Sequence, residues 1–166
     1  MSARILGVDP GARRIGLALD DEARGAMALP HGVVERGIDD REAAAKVKAA
    51  LGETELSLAV VGLPLRLDGT EGTAARRARK FGAFLEEALG VPVEFWDERL
   101  TTVAAERTLR DMGVRGQKQR RAVDETAAAL LLQGWLDARE YQRAGEASSP
   151  GKTAADERWR DDDGDG

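Results

Sequence analysis

The stretch Arg4–Leu19, with the sequence RILGVDPGARRIGLAL, decides how the chain begins to fold. Short β-prone runs stand at its two ends, Arg4–Val8 and Ile15–Leu19, and the Pro-Gly pair in the intervening Asp9–Arg14 is a turn signal. The pattern predicts a β-hairpin, with the acidic residue Asp9 directly after the first strand.

The segments after the hairpin predict an α/β domain. A third strand is expected between Gly25 and Val34, at an edge or interrupted, because Pro30 cannot donate to a central ladder. Apolar runs and stop signals then predict, in order, a helix over Arg41–Leu51, a strand over Leu58–Val61, a helix over Thr70–Leu89, a strand over Val91–Trp96 and helices over Thr101–Met112 and Val123–Arg139. The order β-β-β-α-β-α-β-α predicts a mixed five-stranded sheet flanked by helices.

Two segments lack apolar periodicity. Gly113–Arg121 contains glycine, glutamine and basic residues and is interpreted as a mobile loop. Residues 145–166 end in an acidic run, which predicts a disordered acidic C-terminal tail after one domain over residues 1–144. A chain of 166 residues has room for a single domain of ordinary size.

Composition excludes several kinds of site. The chain has no cysteine, so it forms no disulfide and no thiolate metal site, and a reducing compartment fits. No stretch is long and apolar enough for a membrane span or a secretory signal, so a cytoplasmic protein is expected.

The net charge of −5 hides an uneven distribution along the chain. Residues 145–166 carry seven acids and three bases, which leaves the remaining residues close to neutral. Basic residues cluster over Arg107–Arg121 and Arg76–Lys80, and each run is compatible with nucleic-acid binding or with a solvated helix face.

Acidic residues follow two predicted strands. Asp9 comes after the first strand, where Gly11 permits close approach of a ligand, although an Asp before Pro-Gly is also a common turn former. Asp97 and Glu98 follow the strand that ends at Trp96, at the sheet edge where α/β proteins collect ligand sites. The alternatives are that Asp97 caps the next helix and that Glu98 pairs with Arg99.

A third acid lies on the apolar face of the last predicted helix. Asp124 shares a stripe with Ala127, Ala128, Leu131 and Trp135, so it is a candidate metal ligand, or alternatively a helix N-cap or first-turn acid. Three acids, with no cysteine and one histidine, suit an oxygen-only site for Mg²⁺ or Mn²⁺. Two such ions about 4 Å apart can activate a water and stabilise the leaving oxygen of a phosphodiester.

The segments Gly62–Leu65 and Asp68–Gly72 bracket a loop before the basic helix. Its backbone amides could receive phosphate, with Arg66, Arg76 and Arg77 supplying positive charge. The alternative is a rigid loop with Thr70 as helix N-cap. His31, the single histidine, is assigned no role.

Four segments together resemble the YqgF (RuvX) family: Asp9–Ala18, Val60–Leu65 with Asp68–Gly72, Asp97–Thr102 and Val123–Ala128. They occur in the family's order and span Arg4 to about Arg139. The resemblance implies a ribonuclease H-like fold related to the RuvC resolvases, in a bacterial cytoplasmic nuclease. Such proteins are described either as Holliday junction resolvases or as acting on the 5′ end of pre-16S ribosomal RNA.

The resemblance also implies a site. The family's acids carry over to Asp9, Glu98 and Asp124, which would hold one or two Mg²⁺ or Mn²⁺ ions. Related RuvC-like nucleases place an acid at the end of the fourth strand, where this chain has Gly62-Leu63-Pro64, so Glu98 is expected to substitute for it.

The expected function is a metal-dependent endonuclease, with pre-rRNA favoured over branched DNA as substrate. A weakly catalytic nucleic-acid-binding ribosome-assembly factor is the alternative, and a sugar-kinase-like ATPase is disfavoured because it needs two such domains. The oligomeric state, monomer or homodimer, stays open. The basic residues expected to contact nucleic acid are Arg13, Arg14, Arg66, Arg76, Arg77, Arg115, Lys118, Arg120 and Arg121.

Overall fold

A computed structural model describes residues 3–21, 27–100 and 117–148, with the side chains of the last segment described over 126–145. The chain divides into two compact units, Met1–Leu136 and Asp137–Gly166. The first unit contains the whole sheet. In the second, the described part is the end of a helix, on which Arg143 pairs with Glu140 at 3.9 Å.

Five strands form one mixed sheet in the order β3-β2-β1-β4-β5. Strand β1 pairs antiparallel with β2 and parallel with β4, β2 pairs antiparallel with β3, and β4 pairs parallel with β5. The strands are β1 Arg4–Pro10, β2 Arg14–Asp21, β3 Met27–Glu35, β4 Leu56–Leu63 and β5 Val93–Asp97. The predicted fold class is confirmed.

The hairpin and the edge strand follow the sequence signals. Leu6 faces Leu19 in the β1–β2 pair, and the pairing continues to Pro10 opposite Ile15. Strand β3 lies at the edge of the sheet, and its register with β2 shifts between Leu17 and Ala18. Pro30 stands at this shift, opposite Ala18, which agrees with the edge position predicted from its missing donor.

The first two helices have clear end signals. Helix α1, Asp40–Leu51, begins after Asp39, whose side chain accepts hydrogen bonds from the backbone of Arg41 and Glu42. Helix α2, Thr73–Leu89, ends at Gly90 in the left-handed conformation. It begins three residues later than predicted because Thr70 donates to Asp68 within a separate turn, so Thr70 is not its N-cap.

The last helix is longer than predicted. Helix α3 spans Gln117–Ser148, so the predicted mobile loop is wrong over residues 117–121, and residues 145–148 of the predicted tail are helical. Residues 117–121 read QKQRR, and glutamine, lysine and arginine are good helix formers even where no apolar periodicity marks a helix. The predicted helix Thr101–Met112, residues 113–116 of the predicted loop and the rest of the tail lie outside the described residues.

Two apolar layers cover the sheet. Helices α1 and α2 pack on one face, against Leu6, Val8 and their neighbours, and α3 packs on the other, against Ile5 and Val60. Strand residues alternate between faces, so Ile5, Gly7 and Asp9 point to the α3 side. Gly7 lets this helix approach closely, because a side-chain carbon there would lie 2.6 Å from Leu132 Cβ.

Among residues 3–21, 27–100 and 117–148, no helix is both long and apolar enough to cross a membrane.

Candidate active site

Asp9 lies near the end of the central strand. Its side chain is only 1% exposed and belongs to the face of β1 that α3 covers. On one side Asp9 pairs with Gly16 of β2. On the other, the pairing of Val8 with Val61 places Gly62 of β4 next to it. A buried carboxylate therefore lies between two glycine positions at the carboxyl end of β1.

Glu98 reaches the same end of the sheet from β5. It begins the short 3₁₀ turn Glu98–Leu100 that follows this strand, and it is 3% exposed. Its Oε1 atom lies 2.6 Å from the point where a side-chain carbon of Gly62 would stand, and Leu131 Cδ1 lies at the same distance. The Glu98 carboxylate thus occupies the space over the end of β4 that the absence of a side chain at Gly62 leaves open.

Asp124 lies inside α3, seven residues after the helix begins at Gln117. This position excludes the N-cap and first-turn alternatives, since both require a helix start close to residue 124. Asp124 precedes Ala128 by four residues and Leu131 by seven, and both of these are buried against the sheet. Its side chain lies outside those that the structure describes.

The predicted metal-ligand set consists of Asp9, Glu98 and Asp124. Over the described side chains, no three His, Cys, Asp or Glu residues form a group that could hold a metal ion. The predicted set needs Asp124 as its third member, and the described part of the chain supplies Asp9 and Glu98. Carboxylate oxygens are the donors that Mg²⁺ and Mn²⁺ prefer, so the described pair fits a hard cation.

Asp97 and Arg99 form an ion pair beside Glu98. Arg99 Nη2 lies 2.8 Å from Asp97 Oδ2, and the Arg99 backbone N–H donates to Asp97 Oδ1 at 2.9 Å. Asp97 therefore caps the 3₁₀ turn and takes the arginine that was a possible partner of Glu98. The side-chain hydrogen bond from Arg99 lowers the pKa of Asp97 below its ordinary value, and the same bond raises the pKa of Arg99.

Two further carboxylates near the start of α2, Asp68 and Glu71, have a lowered pKa. The side-chain and backbone hydrogen bonds from Thr70 lower the pKa of Asp68. The hydrogen bond from Arg79 lowers the pKa of Glu71, and Arg79 also lies over the Phe95 ring at 5.0 Å from its centroid. These bonds order the segment between β4 and α2.

The basic residues predicted to contact nucleic acid differ in exposure. Arg13 is exposed in the β1–β2 turn, and Arg66, Arg76 and Arg77 are exposed between the end of β4 and the first turns of α2. Arg14 is different: its side chain is 13% exposed and lies 3.6 Å from Glu35. Arg115 lies outside the described residues, and Lys118, Arg120 and Arg121 lie on α3 at positions whose side chains are not described.

Arg36, which no sequence pattern marks as a site residue, supports the turn after Asp9. Arg36 is 8% exposed, and its Nη1 donates to the Gly11 carbonyl at 3.0 Å. Its Nη2 lies 3.2 Å from Asp40, and the guanidinium stacks over Phe81. The i, i+4 spacing of Arg36 and Asp40 was a usable signal for the ion pair, but nothing in the sequence showed that Gly11 would be its other partner.

The sheet order β3-β2-β1-β4-β5, with helices on both faces, is that of the ribonuclease H-like fold. The chain belongs to the RuvX family: residues 3–138 match the family model described as "RuvX: Holliday junction resolvase". This assignment confirms the predicted resemblance.

Named relatives agree with the family assignment. A protein of Anaeromyxobacter dehalogenans strain 2CP-C, named "Putative pre-16S rRNA nuclease", is 52% identical over 136 residues, which cover 82% of this chain and 98% of the relative. A Myxococcus xanthus protein of the same name is 44% identical, over 81% of this chain and 88% of the relative.

A solved structure supports the fold. The Thermus thermophilus RuvC chain, determined in complex with a Holliday junction substrate, superposes with a TM-score of 0.52 at 18% identity. The match covers 84% of this chain and 96% of the RuvC chain. At this identity the likeness concerns the arrangement of the sheet and helices.

Proposed function

We propose that this protein is a metal-dependent endonuclease that acts in the cytoplasm on the 5′ end of pre-16S rRNA. The observation that carries the proposal is the pair of buried carboxylates, Asp9 and Glu98, on the α3 face at the carboxyl ends of β1 and β4. The names of relatives up to 52% identical point to the rRNA precursor as substrate.

The donor chemistry of both acids supports a cation at this end of the sheet. Carboxylate oxygens are the ligands that Mg²⁺ and Mn²⁺ prefer, and a cation would offset the repulsion between two carboxylates at one sheet edge. Asp9, Glu98 and Asp124 would hold one or two Mg²⁺ or Mn²⁺ ions. A bound ion of this kind supplies a more acidic water and offsets the charge that develops on the scissile phosphate.

The position of Asp124 supports its place in the set. Asp124 stands one helical turn before Ala128 on α3, and α3 packs on the face to which Asp9 belongs. The three acids come from the ends of two strands and from a helix across the same face. Side chains on rigid elements hold reacting groups better than side chains on loops, which suits an in-line attack by water.

The exposed arginines supply a way to hold the substrate. Arg13, Arg66, Arg76 and Arg77 follow the ends of β1 and β4, so they stand at the same end of the sheet as the two acids. They would bind phosphates on either side of the scissile bond without reading sequence. Arg14 contributes less, because Glu35 already pairs with it. Arg115, Lys118, Arg120 and Arg121 complete the proposed set from the segment before and within α3.

A second candidate substrate is a four-way DNA junction. The family description, Holliday junction resolvase, favours it. Resolution requires nicks in two opposed strands, so this activity would need two copies of the chain related by symmetry.

One cleavage experiment tests the proposal and separates the substrates. Purified wild type and Asp9→Asn are incubated with Mg²⁺ or Mn²⁺ and either a pre-16S leader RNA or a four-way DNA junction. We expect cleavage of the RNA that depends on the metal and is lost in Asp9→Asn, while RNA binding is retained. Symmetric cutting of the junction alone would replace the rRNA proposal with the resolvase. If the folded wild type cuts neither, a nucleic-acid-binding assembly factor becomes the better interpretation.

A further inference from the structure

The tip of the loop between β4 and α2 is a compact turn. The Gly69 N–H donates to the Arg66 carbonyl at 2.8 Å, and the Arg66 N–H donates to the Thr70 carbonyl at 3.0 Å. Asp68 Oδ1 accepts from the backbone and hydroxyl of Thr70 at 2.9 and 2.6 Å. These bonds fix the shape of the tip, but they do not attach it to the rest of the domain.

Burial does not attach the tip either. The Leu67 side chain is 97% exposed, and Arg66 and Asp68 are also exposed. Apolar contact begins at the base of the loop, where Leu65 packs near Ala75 and Ala78 of α2. Apart from the Arg66 guanidinium, which lies against Gly72 before α2, the contacts that the tip makes with the rest of the domain are polar.

Arg99 supplies such a contact. Its Nη1 donates to the Leu67 carbonyl at 3.1 Å, while Nε and Nη2 donate to the Asp97 carboxylate at 3.1 and 2.8 Å. We call Arg99, Asp97 and the Leu67 carbonyl the Arg99 bridge. Gly69 lies against the guanidinium, since a side-chain carbon there would stand 3.4 Å from Nη2, and its φ of +88° also favours glycine.

The bridge depends on the shape of the guanidinium. Its rigid fork holds both oxygens of Asp97 and still presents a donor in a second direction, toward Leu67. An ammonium at this position carries the same charge on a single nitrogen, which cannot span the carboxylate and the carbonyl with this geometry. The contact that Arg99 makes is thus specific to arginine.

The bridge joins two parts of the proposed site. Arg99 follows Glu98 directly within the 3₁₀ turn, and the loop tip carries Arg66. We infer that Arg99 is a positioning residue: through the Arg99 bridge it holds the loop tip so that Arg66 meets substrate phosphate at a fixed place relative to Glu98. This inference rests on the proposed function, because it assumes a nucleic-acid substrate at this end of the sheet.

The competing explanation is that Arg99 binds phosphate itself. Asp97→Asn separates the two, because it weakens the bridge and leaves the positive charge of Arg99 in place. Loss of the bridge predicts weaker RNA binding, whereas direct phosphate contact predicts unchanged or tighter binding once the competing carboxylate is removed. Arg99→Lys is the second discriminating variant, since it keeps the charge and loses the fork.

The test uses the full chain with Arg99→Ala, Arg99→Lys and Asp97→Asn. Arg41→Ala serves as the matched control, because Arg41 pairs with the acid Glu87 on the face covered by α1 and α2. Amide hydrogen exchange is followed by NMR at Arg66 and Gly69, and the Kd for a pre-16S leader RNA is measured without divalent metal. Where wild type cleaves, KM and kcat are measured as well.

We expect all three bridge variants to exchange faster at these two amides and to bind RNA about tenfold more weakly, as the loss of a charge-assisted hydrogen bond predicts. KM should rise while kcat stays close to wild type, and Arg41→Ala should match wild type.

Normal protection and affinity in Arg99→Lys or Asp97→Asn would overturn the inference. If wild type cuts nothing but the variants lose protection and affinity, the Arg99 bridge stands and the nuclease proposal fails. If wild type cuts and the variants keep their affinity, the nuclease proposal stands and the inference about the Arg99 bridge fails.

Discussion

The carboxylate of Glu98 lies directly over Gly62, with Oε1 2.6 Å from the position that a side-chain carbon of residue 62 would take. The two residues come from neighbouring parallel strands, Gly62 from β4 and Glu98 from the turn after β5. An acid supplied from β5 can therefore act at the end of β4 only if residue 62 has no side chain. The glycine leaves the space that the glutamate fills, so the two residues form one structural unit.

Gly62→Ala should damage activity more than stability. The added methyl group would meet both Glu98 Oε1 and Leu131 Cδ1 at 2.6 Å, so the carboxylate must move. Crowding of this kind costs about 1–3 kcal/mol of stability. A displacement of about 1 Å at a reacting group can cost about 100-fold in rate, and we expect a loss of kcat on that scale. Thermal unfolding and single-turnover cleavage would measure the two effects.

Gly7→Ala is the matched control. Its methyl group would meet Leu132 Cβ at 2.6 Å and the Ala128 carbonyl at 3.2 Å, which crowds the same helix without touching Glu98. We expect a similar loss of stability with kcat near that of the wild type. Equal activities in the two variants would show that the contact between Glu98 and Gly62 does not serve the site.

Removing Arg76 and Arg77 together should weaken RNA binding and flatten its dependence on salt. Both residues are exposed in the first turns of α2, which begins beyond the carboxyl end of β4. Each lost phosphate contact on a single strand should reduce the slope of log affinity against log salt by about 0.7. Fluorescence anisotropy over a salt series would measure the slope.

The control for this pair removes a positive charge elsewhere. Lys48 lies on α1 and lines a groove with Leu56, the first residue of β4. This groove is at the opposite end of the sheet from the two acids. The variant Lys48→Ala should keep the wild-type slope. An equal slope change per removed charge in the two variants would show that the binding follows total charge and not the proposed surface.

Arg36→Met should destabilise the domain strongly. The variant leaves the Asp40 carboxylate, 15% exposed, without its arginine and also frees the Gly11 carbonyl. Breaking a buried pair by removing one partner costs about 3 kcal/mol or more. Chemical denaturation would measure the loss, and Arg36→Met combined with Asp40→Ala should be less unstable than Arg36→Met alone. An additive double variant would show that the two side chains do not interact.

Asp124→Asn should abolish cleavage with little effect on stability. A residue seven positions into a helix is no cap, so the loss of about 1 kcal/mol expected for an N-cap should not appear. We therefore expect normal thermal unfolding together with absent cleavage. A stable variant that retains full activity would remove Asp124 from the proposed ligand set.

The fold was largely predictable because its signals are local. Alternation around Asp9-Pro10-Gly11 gave the hairpin, Pro30 gave the edge strand, and Asp39 and Gly52 marked the two ends of α1. The start of α3 was missed because residues 117–121 are polar, and polar helix formers leave no apolar stripe to detect.

The site was predictable in part. The positions of Asp9 and Glu98 after strands indicated which end of the sheet they share, since the ends of parallel neighbours lie together. The fit of the Glu98 side chain into the space beside Gly62 was not predictable, because it depends on the register between β4 and β5. The same applies to Arg36 with Gly11 and to Arg99 with Leu67, where a side chain meets a backbone carbonyl distant in sequence.

The most direct test of the proposed site is Mn²⁺ binding by wild type, Asp9→Asn and Glu98→Gln, followed by the EPR signal of the free ion. We expect wild type to bind in the millimolar range or tighter. Each substitution removes one charged ligand and should weaken binding about tenfold or more while the thermal unfolding stays cooperative. Mn²⁺ binding by wild type that neither substitution changes would contradict the claim that these two carboxylates hold the ion.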